Sequence, residues 1–148
     1  ACVQGVPEKE EGILENQMEK VPGSNLSRIV ENKTKNSKKA VLEYKVLKEE
    51  AGCSLLEIHL KTGRHHQIRA QLAYAGWPIL GDTKYNEKES GKGQWKAMGL
   101  CASRLSFYHP VSGEKDGISG KTRWKFSYSI SILPFPILRK KRSGVRAR

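Results

Sequence analysis

The sequence is short of most features that mark a specialised class of protein. Cysteine is rare: Cys2, Cys53 and Cys101 stand far apart with no CxxC pair. That spacing excludes a zinc ribbon and a disulfide framework and suits a reducing compartment. No apolar run approaches the roughly 20 residues that cross a bilayer, so no membrane partner is expected. The opening residues ACVQGVPEKEEG carry neither an initiator Met nor the basic and apolar regions of a signal peptide, and they read as the middle of a longer chain. Acidic residues are few as well, 15 Asp and Glu against 27 Lys and Arg, and the aspartates are only Asp82 and Asp116.

What is present is an ordinary globular composition with a basic excess. The chain has 148 residues, 37% hydrophobic and 28% charged, enough for one domain or a large piece of one. A formal net charge of +12 attracts a polyanion through phosphate contacts and counterion release; RNA, DNA or an anionic surface would satisfy it. The excess is uneven. Residues 1–20 carry five Glu and two Lys, whereas the last ten residues hold six basic side chains and no acid.

Along the chain, residues 5–38 are polar, with few apolar anchors, and read as an extended surface loop, flexible over 12–37. From Ala40 the period changes: Leu42, Tyr44 and Val46 alternate with Glu43 and Lys45, the pattern of a half-buried strand. Ala51-Gly52 makes a turn, and Leu56, Ile58 and Leu60 continue on a second strand, completing a hairpin. Ile68, Leu72 and Ala75 then predict a helix of about three turns packed through that stripe, ended by Gly76-Trp77-Pro78. Residues 86–96 are again polar. An apolar stretch from Leu100 to Phe107 leads to a turn at His109-Pro110, and Trp124, Phe126, Tyr128, Ile130 and Ile132 alternate with polar residues as a late strand. The closing RKKRSGVRAR is a basic arm, solvated or in contact with RNA or a nuclear-import receptor. These elements predict an α+β fold with a mainly antiparallel sheet and few helices.

The richest chemistry lies in residues 60–85, LKTGRHHQIRAQLAYAGWPILGDTKY. A strand ends in a glycine turn and a helix begins among Arg64, His65, His66, Gln67 and Arg69, donors that can hold a phosphate or orient a carboxylate near a helix N-terminus. His66 and Arg69, at i and i+3, share a face turned away from the apolar stripe. A metal on His65 and His66 is disfavoured, because adjacent helical side chains diverge by roughly 100° and no carboxylate stands nearby in sequence.

TGRHHQIR followed by GWPILGDTKY resembles the TGRxHQIR…GxPxxGDxxY signature of RluA-type RNA pseudouridine synthases. KKAVLEYKVL resembles the family's strand before that signature, LCASRLSFYHPVSG its LHAxxLxFxHPxTG segment, and ACVQGVPEKEEGILE the stretch that follows its active-site strand. Cys101 stands where the family usually has His. The resemblance covers residues 1–132 and implies an incomplete, C-terminal portion of the pseudouridine-synthase fold, followed by a basic tail over 133–148.

It also implies a reaction. In that family an Asp within HRLDxxTSG attacks the target nucleotide, the glycosidic bond to N1 breaks, the uracil turns, and it rejoins through C5, with no cofactor or metal. A Tyr of the YxAxVxG segment stacks on the flipped base, as base chemistry requires the base to leave its stack. This sequence begins at the Ala of that segment and contains no HRLD. By position, Arg69 is the partner of the catalytic Asp, whose motif is absent here, so that it has nothing to activate, while Asp82 is structural. Arg64, His66, Gln67, Lys84, Tyr85 and Leu100 are the implied contacts to RNA, rRNA or tRNA, with Leu100 lining the uracil pocket. The resemblance thus implies a fragment inactive alone and a parent enzyme that is monomeric and intracellular, cytoplasmic first and nuclear or organellar otherwise. A non-catalytic RNA-binding module, or a half-domain that aggregates through its unburied face, are the other readings.

Overall fold

The computed structural model describes residues 1–88 and 97–120. The strand expected at 124–132 and the basic arm at 139–148 lie outside the described residues. The chain divides into two compact units, residues 1–100 and 101–148.

Among its described residues, the first unit is a five-stranded antiparallel sheet with one helix against it. Its strands are β1 (Cys2–Gln4), β2 (Glu11–Lys20), β3 (Ser27–Val30), β4 (Lys38–Glu50) and β5 (Cys53–Leu60), in the spatial order β1-β5-β4-β2-β3. Helix α1 is Gln67–Tyr74. In the described part of the second unit, β6 (Arg104–Tyr108) and β7 (Lys115–Ser119) form a hairpin. Its turn is closed by His109, whose Nδ1 accepts from the backbone N–H groups of Val111 and Ser112.

The β4–β5 hairpin is as the alternation predicts. Leu42, Tyr44 and Val46 lie opposite Leu60, Ile58 and Leu56, and directly paired residues of an antiparallel ladder share a face. The connection is a two-residue turn in which Ala51 (φ 51°) and Gly52 (φ 74°) both adopt left-handed conformations, the twist that matches the flanking strands. Ala51 bears the Cβ penalty of that region. Ala51→Asn should therefore stabilise the chain by about 0.5–1 kcal/mol, read as a higher urea midpoint at unchanged slope.

The flexible loop expected over residues 12–37 is corrected: much of it is β2 and β3, and β2 pairs with β4 from Glu11↔Lys45 to Met18↔Lys38. The inward positions of β2 are Gly12, Leu14, Asn16 and Met18, of which only two are apolar. Each polar or small residue there has a packing reason. A Cβ on Gly12 would lie 2.8 Å from the Tyr44 hydroxyl, so glycine makes room for that ring. Asn16 Oδ1 accepts from Gln71 Nε2 of α1 at 2.8 Å.

The helix is also corrected. It has eight residues, about two turns rather than three, and buries Gln67, Ala70, Gln71 and Leu72 instead of presenting only an Ile68–Leu72–Ala75 stripe. Ile68 is half-buried against the cluster of Val3, Leu56, Leu72 and Ile79. The two glutamines tolerate burial because they bond the sheet: Gln67 Nε2 donates to Val41 O and Gln71 Nε2 to Leu14 O, each at 3.1 Å. The helix is shorter because His66 before it is left-handed, at φ 53°. At the other end Gly76 N–H bonds Ala73 O and Trp77 N–H bonds Leu72 O, a Schellman closure with Gly76 at φ 86°. Among the described residues no helix is long and apolar enough to cross a membrane.

Candidate active site

The site is built where β5 gives way to α1. Thr62 folds the chain back on β4: its hydroxyl donates to Gln67 Oε1 at 2.9 Å and itself accepts from Val41 N–H. Gln67 Oε1 also accepts from Arg64 N–H. Gln67, expected to touch substrate, is thus 3% exposed, with its amide committed to the corner. Its place is to hold the TGR turn on the sheet.

Arg69 is paired within the chain with Asp82, the aspartate whose position the resemblance gives as structural. Its Nε donates to Asp82 Oδ2 at 2.8 Å and its Nη2 to Asp82 Oδ1 at 2.6 Å, a two-point contact that fixes orientation as well as charge. Asp82 is fully buried and Arg69 nearly so, with side-chain exposures of 0% and 15%. Asp82 Oδ1 also accepts the backbone N–H groups of Lys84 and Tyr85. Burial works against ionising Asp82, but the hydrogen bond from Arg69 and those two N–H groups outweigh it and hold the carboxyl below its ordinary range. Arg69 is held above its ordinary value first by the same bond.

His66 and Tyr85 close the corner. Arg69 Nη1 lies 3.2 Å from His66 Nε2, His66 Nδ1 lies 3.0 Å from Tyr85 Oη, and Ser27 N–H donates to the same hydroxyl at 2.8 Å. The guanidinium carbon sits 4.9 Å from the centre of the Tyr85 ring, within cation–π range. Burial, then the charges of Arg69, His65 and Lys84, depress the His66 value, with Asp82 opposing. The imidazole therefore favours its neutral form in the folded chain. Both depressed groups give the same sign: the unfolded chain binds more protons, so stability rises with pH and is lost as the solution is acidified. The His66 contribution is lost first, below about pH 6.5, and that of Asp82 below about pH 4.

His65 stacks on His66 with ring centres 3.9 Å apart. It reaches the β2–β3 turn, with Nδ1 2.9 Å from Ser27 Oγ and Nε2 2.9 Å from Asn25 Oδ1. Both ring nitrogens of His65 thus meet oxygens, and those of His66 meet Tyr85 and Arg69. Ser27 and Asn25 belong to the segment expected as a loop, and nothing in their spacing announces them.

The remaining expected residues are more dispersed. Arg64 is exposed and anchored by Nε to Lys39 O at 2.9 Å. Lys84 has an exposed side chain beside Asp82. Leu100 is half-buried and packs on the Val3–Leu56–Leu72–Ile79 cluster. The structure thus brings Arg69, His66, Tyr85 and Asp82 into one bonded group, with Lys84 at its margin.

Comparison with known proteins gives the class. Residues 1–74 match the RNA pseudouridylate synthase family. An uncharacterized RNA pseudouridine synthase of Aquifex aeolicus is 38% identical over 120 residues, spanning 76% of this chain and 37% of that protein. The ribosomal large subunit pseudouridine synthase C of Rickettsia conorii is 34% identical over 128 residues, spanning 86% and 42%. The solved structure of human RNA pseudouridylate synthase domain containing 1 superposes with a TM-score of 0.72 at 19% identity, covering 95% of this chain and 60% of that one, so the fold is shared. The chain belongs to the RNA pseudouridylate synthase family, as the RluA-type signature implied. It spans 37% and 42% of the length of the two bacterial relatives.

Proposed function

We propose that this chain forms the arginine-bearing part of an enzyme that isomerises uridine to pseudouridine in rRNA or tRNA. The observation that carries the reading is the Arg69–Asp82 pair, buried and fixed at two points, at the position where family resemblance sets the partner of the nucleophilic aspartate. Three of Arg69's N–H groups are committed to Asp82 and His66. Of the five that a guanidinium carries, two are left for an incoming carboxylate.

The isomerisation balances without a redox partner. The C1′–N1 bond breaks, C1′ bonds C5, C5 loses its proton and N1 gains one. Arg69 would hold the attacking carboxylate ionised and oriented, while Asp82 fixes Arg69. Lys84 and Arg64 lie exposed for phosphate contact, and the +12 net charge draws the polyanion in. The enzyme would act as a monomer, without a cofactor, in a reducing compartment such as the cytoplasm.

The test joins this chain behind an HRLD-bearing segment of a relative and supplies uridine-containing rRNA or tRNA. Pseudouridine should form, and its absence from both pools would overturn the proposal. The second reading is a non-catalytic RNA-binding module, which the +12 net charge would serve equally well. RNA affinity that falls steeply with salt, with no product from the joined protein, would establish that reading instead.

A further inference from the structure

The hydrogen bonds around His66 determine which way the Tyr85 hydroxyl can act. A guanidinium has no acceptor, so at the Arg69 Nη1–His66 Nε2 contact of 3.2 Å the arginine donates and Nε2 carries no proton. The imidazole proton is then on Nδ1, and the 3.0 Å contact to Tyr85 Oη is a donation from His66 to the tyrosine. The opposite tautomer would set two donors against each other at Nη1 and Nε2. Burial and the neighbouring charges of Arg69, His65 and Lys84 also keep the ring in the neutral form that this arrangement needs.

The backbone supplies a second donor to the same oxygen, since Ser27 N–H can only donate, at 2.8 Å. Tyr85 Oη thus accepts two hydrogen bonds, which fills its acceptor capacity. Its own O–H proton has no acceptor among the described residues. The side chain is only partly buried, and the ring is held against the Arg69 guanidinium at 4.9 Å. Rotation about the C–O bond is restrained by both incoming donors, so the proton is aimed rather than free to search.

We propose that Tyr85 is a positioning residue for RNA: its hydroxyl, fixed as a donor by His66 and Ser27, donates to an acceptor oxygen of the nucleotide that reaches Arg69. This rests on the pseudouridine-synthase reading and specifies one contact within it. The acceptor is a base carbonyl or a phosphate oxygen, which share this chemistry. The Arg69–Asp82 pair cancels its own formal charge, so Tyr85 offers the corner a neutral donor, suited to a carbonyl as well as to a phosphate.

The test measures affinity, so it does not depend on product. The full chain is titrated with a uridine 12-mer and with a 12-mer of the same ribose-phosphate backbone lacking bases. Tyr85→Phe removes both the acceptor and the donor. O-methyltyrosine at position 85 keeps an ether oxygen as acceptor for Ser27 and His66 and puts a methyl group in place of the proton, and p-aminophenylalanine restores a donor while keeping one lone pair for either of them. Thermal melts of each variant report whether the corner stays folded.

Loss of one neutral hydrogen bond corresponds to about three- to tenfold weaker binding. That loss is expected for O-methyltyrosine at an unchanged melting temperature, with recovery on p-aminophenylalanine. A loss seen with the uridine 12-mer alone assigns the acceptor to the base, and a loss with both oligomers assigns it to phosphate. Wild-type affinity in the O-methyltyrosine protein would overturn the proposal, leaving Tyr85 as an anchor for Ser27 and His66. Absence of RNA binding by the unsubstituted chain would overturn the functional reading and this inference together.

Discussion

Replacing Arg69 by methionine should destabilise the first unit by about 3–5 kcal/mol, the cost of removing one partner from a buried ion pair. The carboxylate left behind is fully buried and would keep only the N–H groups of Lys84 and Tyr85. It would then protonate at a higher pH, and the acid limb of the stability curve would move upward with it. The double substitution Arg69→Met with Asp82→Leu should cost less than Arg69→Met alone, because it leaves no orphaned charge. Urea melts of the four proteins in that cycle measure the coupling. Additive effects would mean that Arg69 acts through packing alone. A structural loss of this size also bears on activity measurements, since an inactive Arg69 variant is informative only if it is folded.

Gly81→Ala should have the second-largest effect, about 2–4 kcal/mol from two sources that act together. Gly81 is left-handed, at φ 74°, where an L side chain costs roughly 1 kcal/mol or more. A Cβ there would stand 2.6 Å from the backbone oxygen of Ala97, so backbone must move, which typically costs a further 1–3 kcal/mol. The backbone that would move is also bonded: Leu80 N–H donates to Cys2 O, and Gly99 N–H to Leu80 O at 2.7 Å. Because Gly81 precedes Asp82 directly, displacement there pulls the carboxylate from Arg69. The melting temperature of Gly81→Ala should fall, and the pH dependence assigned to Asp82 should weaken with it. An unchanged melting temperature would show that the turn around residue 81 has slack.

The parts of this fold that are legible in the sequence are those made by neighbours in the chain. Leu42, Tyr44 and Val46 announce β4 by their period, the Ala51-Gly52 turn announces the hairpin, and Gly76 announces the end of α1. Strand β2 hides because its inward positions include Gly12 and Asn16, residues chosen by Tyr44 and Gln71 across the core. Helix α1 misleads in the same way, since Gln67 and Gln71 are polar in composition and buried in fact. Their burial follows from backbone acceptors on β2 and β4, which no periodicity displays. At the site, the motif carries Arg69, His66, Asp82 and Tyr85. It does not carry their pairing, nor the contribution of Asn25 and Ser27, which lie some 40 residues away in sequence and meet His65 only in the folded chain.

The most direct test of the division of labour proposed here uses RNA tritiated at uridine C5, because forming the C1′–C5 bond releases that hydrogen. The 148-residue chain alone should bind the RNA, with affinity that falls as salt rises, and release no tritium. The chain joined behind an HRLD-bearing segment should release it in step with pseudouridine formed. Tritium release by the 148 residues alone would contradict the assignment, and would mean that a nucleophile lies among the residues this sequence already contains.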